Sequence, residues 1–215
     1  MISASKANLV YQDHGREVFA CKDIDLNVGD HEFVGILGPS GSGKSSLLYL
    51  LSGLKNPTSG SVSLEGTAYT AISDSERARL RLRHFGFVFQ QPFLLGYLTA
   101  LENVLLIEPS VADARGRAMA LLEDVGLEEK AHRMPAELSG GEKQRVCVAR
   151  ALYAGPKAVF ADEPTASLDH VSGEAVIQLL DERRQGALVV VTHDPSMLAN
   201  ADRILHMEDG ALVER

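Results

Sequence analysis

The stretch Gly-Pro-Ser-Gly-Ser-Gly-Lys-Ser at residues 38–45 has the residue types of a loop that binds phosphate. Its glycines let the backbone wrap so that several N–H groups point inward. Lys44 can reach the β- and γ-phosphates of a nucleotide, and the Ser45 hydroxyl can ligate Mg²⁺. The loop lies between the apolar runs 32–38 and 46–54, which predict the preceding strand and the following helix. The pattern predicts a nucleotide site of the P-loop type and disfavours an ordinary Gly/Ser-rich turn.

Two adjacent carboxylates follow another apolar run, Ala-Val-Phe-Ala-Asp-Glu-Pro at residues 158–164. Asp162 stands at the end of the predicted strand, where it can hold Mg²⁺ through water. Glu163 is then available to polarise an attacking water molecule. A pair of surface acids before Pro164 is the alternative, and the phosphate loop favours the metal-binding interpretation.

A second anion-binding pattern occurs at Leu138–Arg145, with the sequence LSGGEKQR. Ser139 can cap a helix, and Glu142, three residues later, can complete a capping box. Gly140 and Gly141 leave backbone N–H groups open at the start of that helix, where an anion is stabilised. The chain therefore carries two phosphate-binding patterns far apart in sequence.

Short apolar runs alternate with helical stretches, which is typical of a mainly parallel sheet with helices packed on it. The predicted strands are Glu32–Gly38, Phe85–Gln90, Lys157–Asp162, Ala187–Thr192 and Arg203–Met207. Asp209-Gly210 is expected to turn the last strand into a terminal hairpin. Gln90 is expected to end one strand and His193 to follow another, both at the carboxyl edge of the sheet beside the expected nucleotide. Residues from about 94 to 153 show mostly helical periodicity and predict a helical insertion.

The composition is that of an ordinary globular chain of 215 residues, with 45% hydrophobic and 23% charged residues. Its net charge of −8 provides no electrostatic footprint for nucleic acid. The basic run 77–83 is interpreted as a solvated helix face, and Cys21 and Cys147 as reduced core residues. We expect a cytoplasmic chain, because neither a membrane-spanning apolar run nor a signal peptide is evident in the sequence.

The order of LSGGEKQR, VFADEPTASLD and VVVTHD after the phosphate loop resembles the nucleotide-binding subunit of ATP-binding-cassette (ABC) proteins. The resemblance covers nearly the whole chain. It implies an α/β fold: a RecA-like P-loop NTPase core with a β subdomain and an inserted α-helical subdomain. A single domain over residues 1–215 is then expected. Its core and β subdomain would occupy about 1–90 and 154–215, and its helical subdomain about 91–153.

The resemblance also implies a role for each motif residue. Glu163, His193, Lys44 and Gln90 would be catalytic, and Ser45, Gln90 and Asp162 would hold Mg²⁺. Asp169 would belong to the D-loop. Ser139, Gly140, Gly141 and Glu142 would form the signature that contacts ATP bound by the other subunit. The expected ATP-binding residues are Tyr11, which would stack on adenine, and Gly38, Pro39, Ser40, Gly41, Ser42, Gly43, Lys44, Ser45 and Ser46.

The family geometry implies a head-to-tail dimer, expected here to be a homodimer when ATP is bound, in which each ATP lies between two subunits. The chain would dock integral membrane permease subunits in a groove near residues 90–104. It would thus be peripheral on the inner face of the cell membrane. Residues 87–104 and 192–212 resemble the bacterial lipoprotein-releasing and macrolide-efflux branch. In that branch Gly-Asn commonly stands where this chain has Ala166-Ser167. The expected cargo is a lipoprotein, a peptide or a drug-like compound.

Other functions are less well supported. A non-transporting membrane regulator of the cell-division type would share every ATP motif and stays open at this point. A soluble ABC ATPase acting on nucleic acid or ribosomes is disfavoured, because we find neither a coiled-coil insertion, a second cassette nor a basic surface in the sequence. A P-loop kinase or GTPase is disfavoured by the signature and by the lack of an Asn-Lys-x-Asp motif.

Overall fold

The computed structural model describes residues 1–107 and 113–213, which form helices and strands in alternation. The strands are β1 Ile2–Asp13, β2 Arg16–Val28, β3 Phe33–Leu37, β4 Ser59–Leu64, β5 Thr67–Ala68, β6 Phe85–Val88, β7 Ala158–Asp162, β8 Ala187–Thr192, β9 Arg203–Glu208 and β10 Ala211–Val213. The helices are α1 Lys44–Leu51, α2 Asp74–His84, α3 Ala100–Leu105, α4 Ala114–Asp124, α5 Gly140–Tyr153 and α6 His170–Arg183. The chain divides into two compact units, Met1–Arg81 with Val189–Arg215, and Leu82–Leu188.

The first unit contains an antiparallel sheet with the strand order β2-β1-β4-β5, and a run of neighbouring strands in the order β10-β9-β3-β8. β3 is buried along its whole length and pairs in parallel with β9, from Val34 with Arg203 to Leu37 with His206. Near-continuous apolar sequence is what a parallel strand covered on both faces requires. The turn residues Asp209 and Gly210 have φ angles of 46° and 81°, as a tight hairpin turn demands. The predicted strands and terminal hairpin of this unit are confirmed.

The second unit holds the parallel pair β6 and β7, together with helices α3 to α6. Phe85 of β6 packs edge-on against Phe160 of β7, at 5.1 Å between ring centroids. Between residues 94 and 153 the described part of the chain contains helices and turns and no strand, as the sequence predicts. Residues 108–112 of that predicted helical stretch lie outside the described residues. The exact subdomain bounds stay a prediction.

Two sequence-based expectations need correction. Strand β6 ends at Val88, so Gln90 lies two residues beyond the strand, in a loop. The basic run is also not simply a solvated helix face. Arg77 is buried and pairs with Asp74 at 2.6 Å, while Arg81 Nη1 donates to the Gly53 carbonyl at 2.8 Å. Arg77 thus pairs with a carboxylate of its own helix, and Arg81 binds a carbonyl just after α1. Both arginines therefore stabilise the fold.

Both cysteines are reduced core residues, as predicted. Cys21 and Cys147 are buried and unbonded to each other. Burial disfavours the thiolate and raises the pKa of Cys21 to about 12 and that of Cys147 to about 11. Among the helices of residues 1–107 and 113–213, none has the length and apolar character needed to cross a bilayer.

Candidate nucleotide site

The phosphate loop joins the buried strand β3 to helix α1 in the first unit. Gly43 is the N-cap of α1 with φ 99°, and in this fully described stretch no side chain caps the helix and its first turn carries no acidic residue. The first N–H groups of a helix carry about half a positive charge, since they lack carbonyl partners within the helix. The loop therefore ends on a helix start suited to an anion.

Lys44 is folded against the loop that precedes it. Its ammonium donates to the carbonyls of Gly38 at 2.8 Å and Pro39 at 2.9 Å, and only 7% of the residue is exposed. Neutral carbonyls orient the ammonium without cancelling its charge. The arrangement fixes a positive charge at the loop, where the sequence predicts phosphate.

The loop is supported by backbone from distant parts of the same unit. A Cβ on Gly43 would lie 2.1 Å from the Ala20 carbonyl, and one on Gly38 would lie 2.3 Å from the Met207 carbonyl. Gly210, in the β9–β10 turn, donates its N–H to the Ser42 carbonyl at 3.0 Å. The Gly210 carbonyl in turn accepts from the Lys22 N–H at 2.8 Å. Only glycine fits these close approaches, so loop shape depends on β2 and the terminal hairpin.

His193 lies beside the start of the phosphate loop. A pocket of about 320 Å³ is lined by Gly38, Pro39 and His193, and also by His206 and Glu208. The expectation that strand ends bring His193 to the loop fits this pocket. His206 and Glu208 belong to none of the motifs recognised in the sequence. Their spacing of two residues on β9 puts them on one face of the strand, and this signal was available.

Tyr11 belongs to β1, opposite Val18 of β2, and its side chain is half-exposed. The ammonium of Lys55 lies 5.9 Å from the centre of its ring, within the range of a cation–π contact. The Tyr11 ring is thus accessible for stacking, and the Lys55 ammonium contacts it. The first unit therefore contains Tyr11, the phosphate loop and His193.

The acidic pair lies in the second unit, where β7 ends. Asp162 is the last residue of β7 and is 7% exposed. Glu163 follows with φ 47°, in the left-handed region that side-chain-bearing residues adopt uncommonly. Such backbone conformations concentrate at functional sites, since the surrounding structure must compensate their cost. The turn at Glu163 breaks the strand alternation, so the two carboxylates have different surroundings.

The signature helix begins as its sequence predicts. Ser139 is the N-cap of α5: its hydroxyl accepts from the Glu142 N–H at 3.3 Å, and the Glu142 carboxylate accepts from the Ser139 N–H at 2.8 Å. Lys130 also donates to Glu142. These bonds, that from Lys130 above all, lower the pKa of Glu142 to about 2. Ser139 and Gly140 are exposed, which leaves this helix start open to a ligand or a partner.

The segment before α6 packs beside the signature helix. A Cβ on Gly141 would lie 2.9 Å from Cδ2 of Leu168. Asp169 is the N-cap of α6, and its carboxylate accepts from the Ser172 hydroxyl at 2.6 Å and from the Ser172 N–H at 3.0 Å. These bonds, the hydroxyl first, lower the pKa of Asp169. Within the second unit the predicted signature and D-loop are therefore neighbours.

Gln90 is exposed in a loop whose backbone is held by helix α5. Gln144 Nε2 donates to the Phe89 carbonyl at 2.9 Å, and Arg150 donates to the carbonyls of Pro92 and Phe93. No local sequence signal marks Gln144 or Arg150 for this role, because these contacts join residues more than fifty positions apart. The second unit therefore contains Gln90, the signature, the acidic pair and Asp169.

A strand, a glycine-rich loop and a helix start that present a fixed lysine, together with an acidic pair after a buried parallel strand, define a P-loop NTPase. The family model described as ABC transporter matches residues 21–166, and the chain belongs to that family.

Similar proteins agree with this assignment. The lipoprotein-releasing system ATP-binding protein LolD of Hydrogenovibrio crunogenus is 44% identical over 99% of this chain and 96% of its own length. LolD of Legionella pneumophila is 42% identical over 100% of this chain and 98% of its own length. The macrolide export ATP-binding/permease protein MacB of Hahella chejuensis is 42% identical over 99% of this chain, which spans only 34% of that protein.

Solved structures confirm the predicted fold. The ATP-binding cassette MJ0796, in a dimeric post-hydrolysis state bound to ADP and Pi, has a TM-score of 0.92 and 37% identity. The alignment covers 100% of this chain and 97% of that one. A second dimeric structure of MJ0796 has the same TM-score and 38% identity. The chain is therefore an ATP-hydrolysing subunit of the ABC transporter family, with the α/β P-loop NTPase fold expected from its sequence.

Proposed function

We propose that this chain forms a homodimer on binding ATP and drives integral membrane permease subunits that release or export a lipoprotein, a peptide or a drug-like compound. The relatives named LolD support this proposal, because they match over nearly their whole length. MacB supports the same branch through its cassette portion alone. Such a chain would be cytoplasmic and peripheral on the inner face of the membrane.

The residue roles in this proposal follow the chemistry of each side chain. Lys44 and the N–H groups of residues 38–46 bind the phosphates, and Tyr11 stacks on the adenine. Glu163 orients and activates the attacking water, while His193 holds the γ-phosphate and that water in line. The fixed Lys44 ammonium stabilises the charge that develops during phosphoryl transfer.

The proposed metal ligands are Ser45, Gln90 and Asp162. They offer a hydroxyl, an amide and a carboxylate oxygen, which is the donor chemistry that Mg²⁺ prefers. Asp162 is buried at the end of β7, where a nearby cation would compensate its desolvation. When bound with ATP, Mg²⁺ would supply further neutralisation of phosphate charge.

Two phosphate-binding patterns in one chain are explained if they serve different ATP molecules. The exposed start of α5, with Ser139 capping and Gly140 facing open space in the described chain, is the observation that supports the dimer most directly. Its dipole suits the γ-phosphate that ATP has and ADP lacks. ATP would thereby stabilise the closed dimer and hydrolysis would release it, since a ligand shifts an equilibrium only through unequal contacts with the two states.

Exposed apolar side chains support the proposed docking site for membrane subunits. Phe93 is 63% and Tyr97 is 74% exposed, and Leu95 between them is also exposed. These residues lie in the segment 90–104 predicted to contact permeases. Large apolar side chains grouped on a surface mark interaction sites more often than isolated ones do.

Three variants test the proposed division of roles. Glu163→Gln should keep ATP binding but stall hydrolysis and accumulate dimers in size-exclusion chromatography. Lys44→Ala should abolish tight ATP binding. Ser139→Arg should leave ATP binding by the monomer nearly intact and block dimerisation. If Ser139→Arg lost ATP binding in the monomer, the signature would serve its own subunit's nucleotide and the shared site would be wrong.

The membrane partner is tested by co-purification with the integral membrane proteins encoded beside this gene. The transport proposal predicts a stable complex whose ATPase rate responds to the partner. Recovery of a partner that controls cell-wall enzymes, and moves no cargo in reconstituted vesicles, would replace transport by the regulator function.

A further inference from the structure

Three side chains on one face of helix α5 donate hydrogen bonds to the backbone of the loop after β6. Gln144, Cys147 and Arg150 are spaced by three residues and so lie along the same side of the helix. Gln144 Nε2 donates to the Phe89 carbonyl at 2.9 Å. The Cys147 thiol donates to the Pro92 carbonyl, which also accepts from Arg150 Nη2 at 3.1 Å. Arg150 Nη1 donates to the Phe93 carbonyl at 3.0 Å.

Two of these three side chains are fully buried, and the burial of a polar group has a cost in free energy. Gln144 and Cys147 have no exposed surface, and within the described residues the Gln144 side-chain oxygen has no hydrogen-bond partner. Leaving a buried acceptor unpaired is unfavourable, and an apolar side chain of similar volume would avoid that penalty. The contribution of the Gln144 amide is therefore its N–H group, which donates to the Phe89 carbonyl. Arg150 adds charge-assisted bonds, which are stronger than neutral ones.

A row of aromatic rings holds the same loop from another side. Phe89 stacks on Phe87 at 5.6 Å and meets Phe93 edge-on at 5.8 Å. Phe87 stacks in turn on Phe160 of β7 at 5.8 Å. The loop that contains Gln90 is thus fixed both to α5 and to the strand that ends in Asp162.

The two ends of α5 have different surroundings. Ser139, at the N-terminus, is exposed where the proposed function places the other subunit's ATP. Arg150 stands eleven residues further, about 16 Å along a rigid helix, and holds the carbonyl of Phe93. The Phe93 ring itself is 63% exposed, in the proposed docking surface.

We infer that Gln144, Cys147 and Arg150 are positioning residues that make the loop Phe89–Phe93 move with helix α5 as one body. A displacement of the Ser139 end on dimerisation is then delivered to Gln90 and to the Phe93 ring. We call the three residues the α5 clamp. The inference rests on the proposed function for the roles of Ser139, Gln90 and Phe93.

The test uses a tryptophan reporter, because the natural chain contains no tryptophan. Phe93→Trp is introduced into the full chain together with Glu163→Gln, so that ATP is bound but not turned over. Dimerisation is followed by light scattering and the reporter by fluorescence, both as a function of ATP concentration. The clamp predicts a fluorescence change that follows dimerisation.

Arg150→Met then removes two of the clamp's donors while it keeps an unbranched apolar stem. ATP-driven dimerisation should persist, but the fluorescence change that accompanies it should be largely lost, because the charge-assisted hydrogen bonds that hold the Pro92 and Phe93 carbonyls to α5 are removed. Arg150→Lys keeps the charge and can donate to one carbonyl, so it should restore part of the change. Arg115→Met removes an exposed arginine from the same unit and should leave both signals unaltered.

The outcomes separate the clamp from the proposed function. If the reporter chain fails to dimerise with ATP, the proposed function is wrong and the clamp falls with it. Dimerisation without a fluorescence change, or with the same change in Arg150→Met, overturns the clamp alone. Should Arg150→Met fail to fold, as judged by circular dichroism, Arg150→Lys decides. A full fluorescence change in that variant overturns the clamp, and a partial one supports it.

Discussion

The charge of Glu142 should stabilise the start of helix α5, and Glu142→Gln isolates that contribution. The glutamine can still accept from the Ser139 N–H and so complete the capping box. What it loses is the charged contact with Lys130 and the favourable position of a carboxylate at a helix N-terminus. The Glu142 side chain is only 15% exposed, so water screens these interactions less than at an open surface.

The size of the effect follows from two small terms. A charge pair with a half-exposed lysine contributes about 0.5–1 kcal/mol. A carboxylate in the first turn of a helix adds about 0.5 kcal/mol. We therefore expect Glu142→Gln to lower the free energy of unfolding by about 1–1.5 kcal/mol at pH 7.

The effect should depend on pH in a defined direction. The folded-state pKa of Glu142 is lowered to about 2, whereas a glutamate in the unfolded chain titrates near 4.3. The stabilisation is therefore fully present above the unfolded pKa and is lost as pH falls toward 2. About a third of it should be gone at pH 3.5.

The assay is urea unfolding at pH 7 and pH 3.5, followed by circular dichroism. Lys130→Met, alone and combined with Glu142→Gln, completes a double-mutant cycle that measures the pair itself. A coupling energy of about 0.5–1 kcal/mol is expected at pH 7. Equal stability of Glu142→Gln and the natural chain at pH 7, or a difference that grows as pH falls, would refute this account of the helix start.

Two further predictions concern the phosphate loop and the D-loop. Gly43→Ala should destabilise the chain by more than about 2 kcal/mol and weaken ATP binding, since it adds a clash with the Ala20 carbonyl to the cost of a left-handed alanine. Gly41→Ala, also left-handed but in open space among the described residues, is the matched control and should cost about 1–2 kcal/mol in urea unfolding. Asp169→Ala should lose about 1 kcal/mol of stability with the helix cap, while Asp169→Asn should keep it. If Asp169→Asn is as stable as the natural chain and its ATPase rate still falls, Asp169 has a role beyond capping; an unaltered rate would limit it to the cap.

Much of the fold could be predicted because its signals are local. β8 has the bounds read from the sequence, since an uninterrupted apolar run is flanked by Gly186 and His193. The hairpin at Asp209-Gly210 is marked by two residues that tolerate positive φ. The basic run departs from the expected solvated face at Arg81, because its partner, the Gly53 carbonyl, lies outside α2 and is set by packing rather than by the sequence of the helix.

In the candidate site too, the features with a local sequence signal could be predicted, and those that depend on distant contacts could not. The capping box at Ser139 is fixed by a three-residue spacing, and the structure has it as predicted. The left-handed backbone at Glu163 carries no sequence signal, because glutamate has no preference for that region. Arg150 reads as an ordinary helix residue until Phe93, far away in the chain, is folded against it.

The β9–β10 turn has a consequence for truncated genes. The motifs that identify an ATPase all end by Asp194, yet the N–H of Gly210 donates to the Ser42 carbonyl of the phosphate loop. A premature stop codon between Asp194 and Arg203 would leave all of these motifs in the sequence. The encoded protein would lack the backbone that shapes its nucleotide loop, so a motif count would score a non-functional allele as an ATPase.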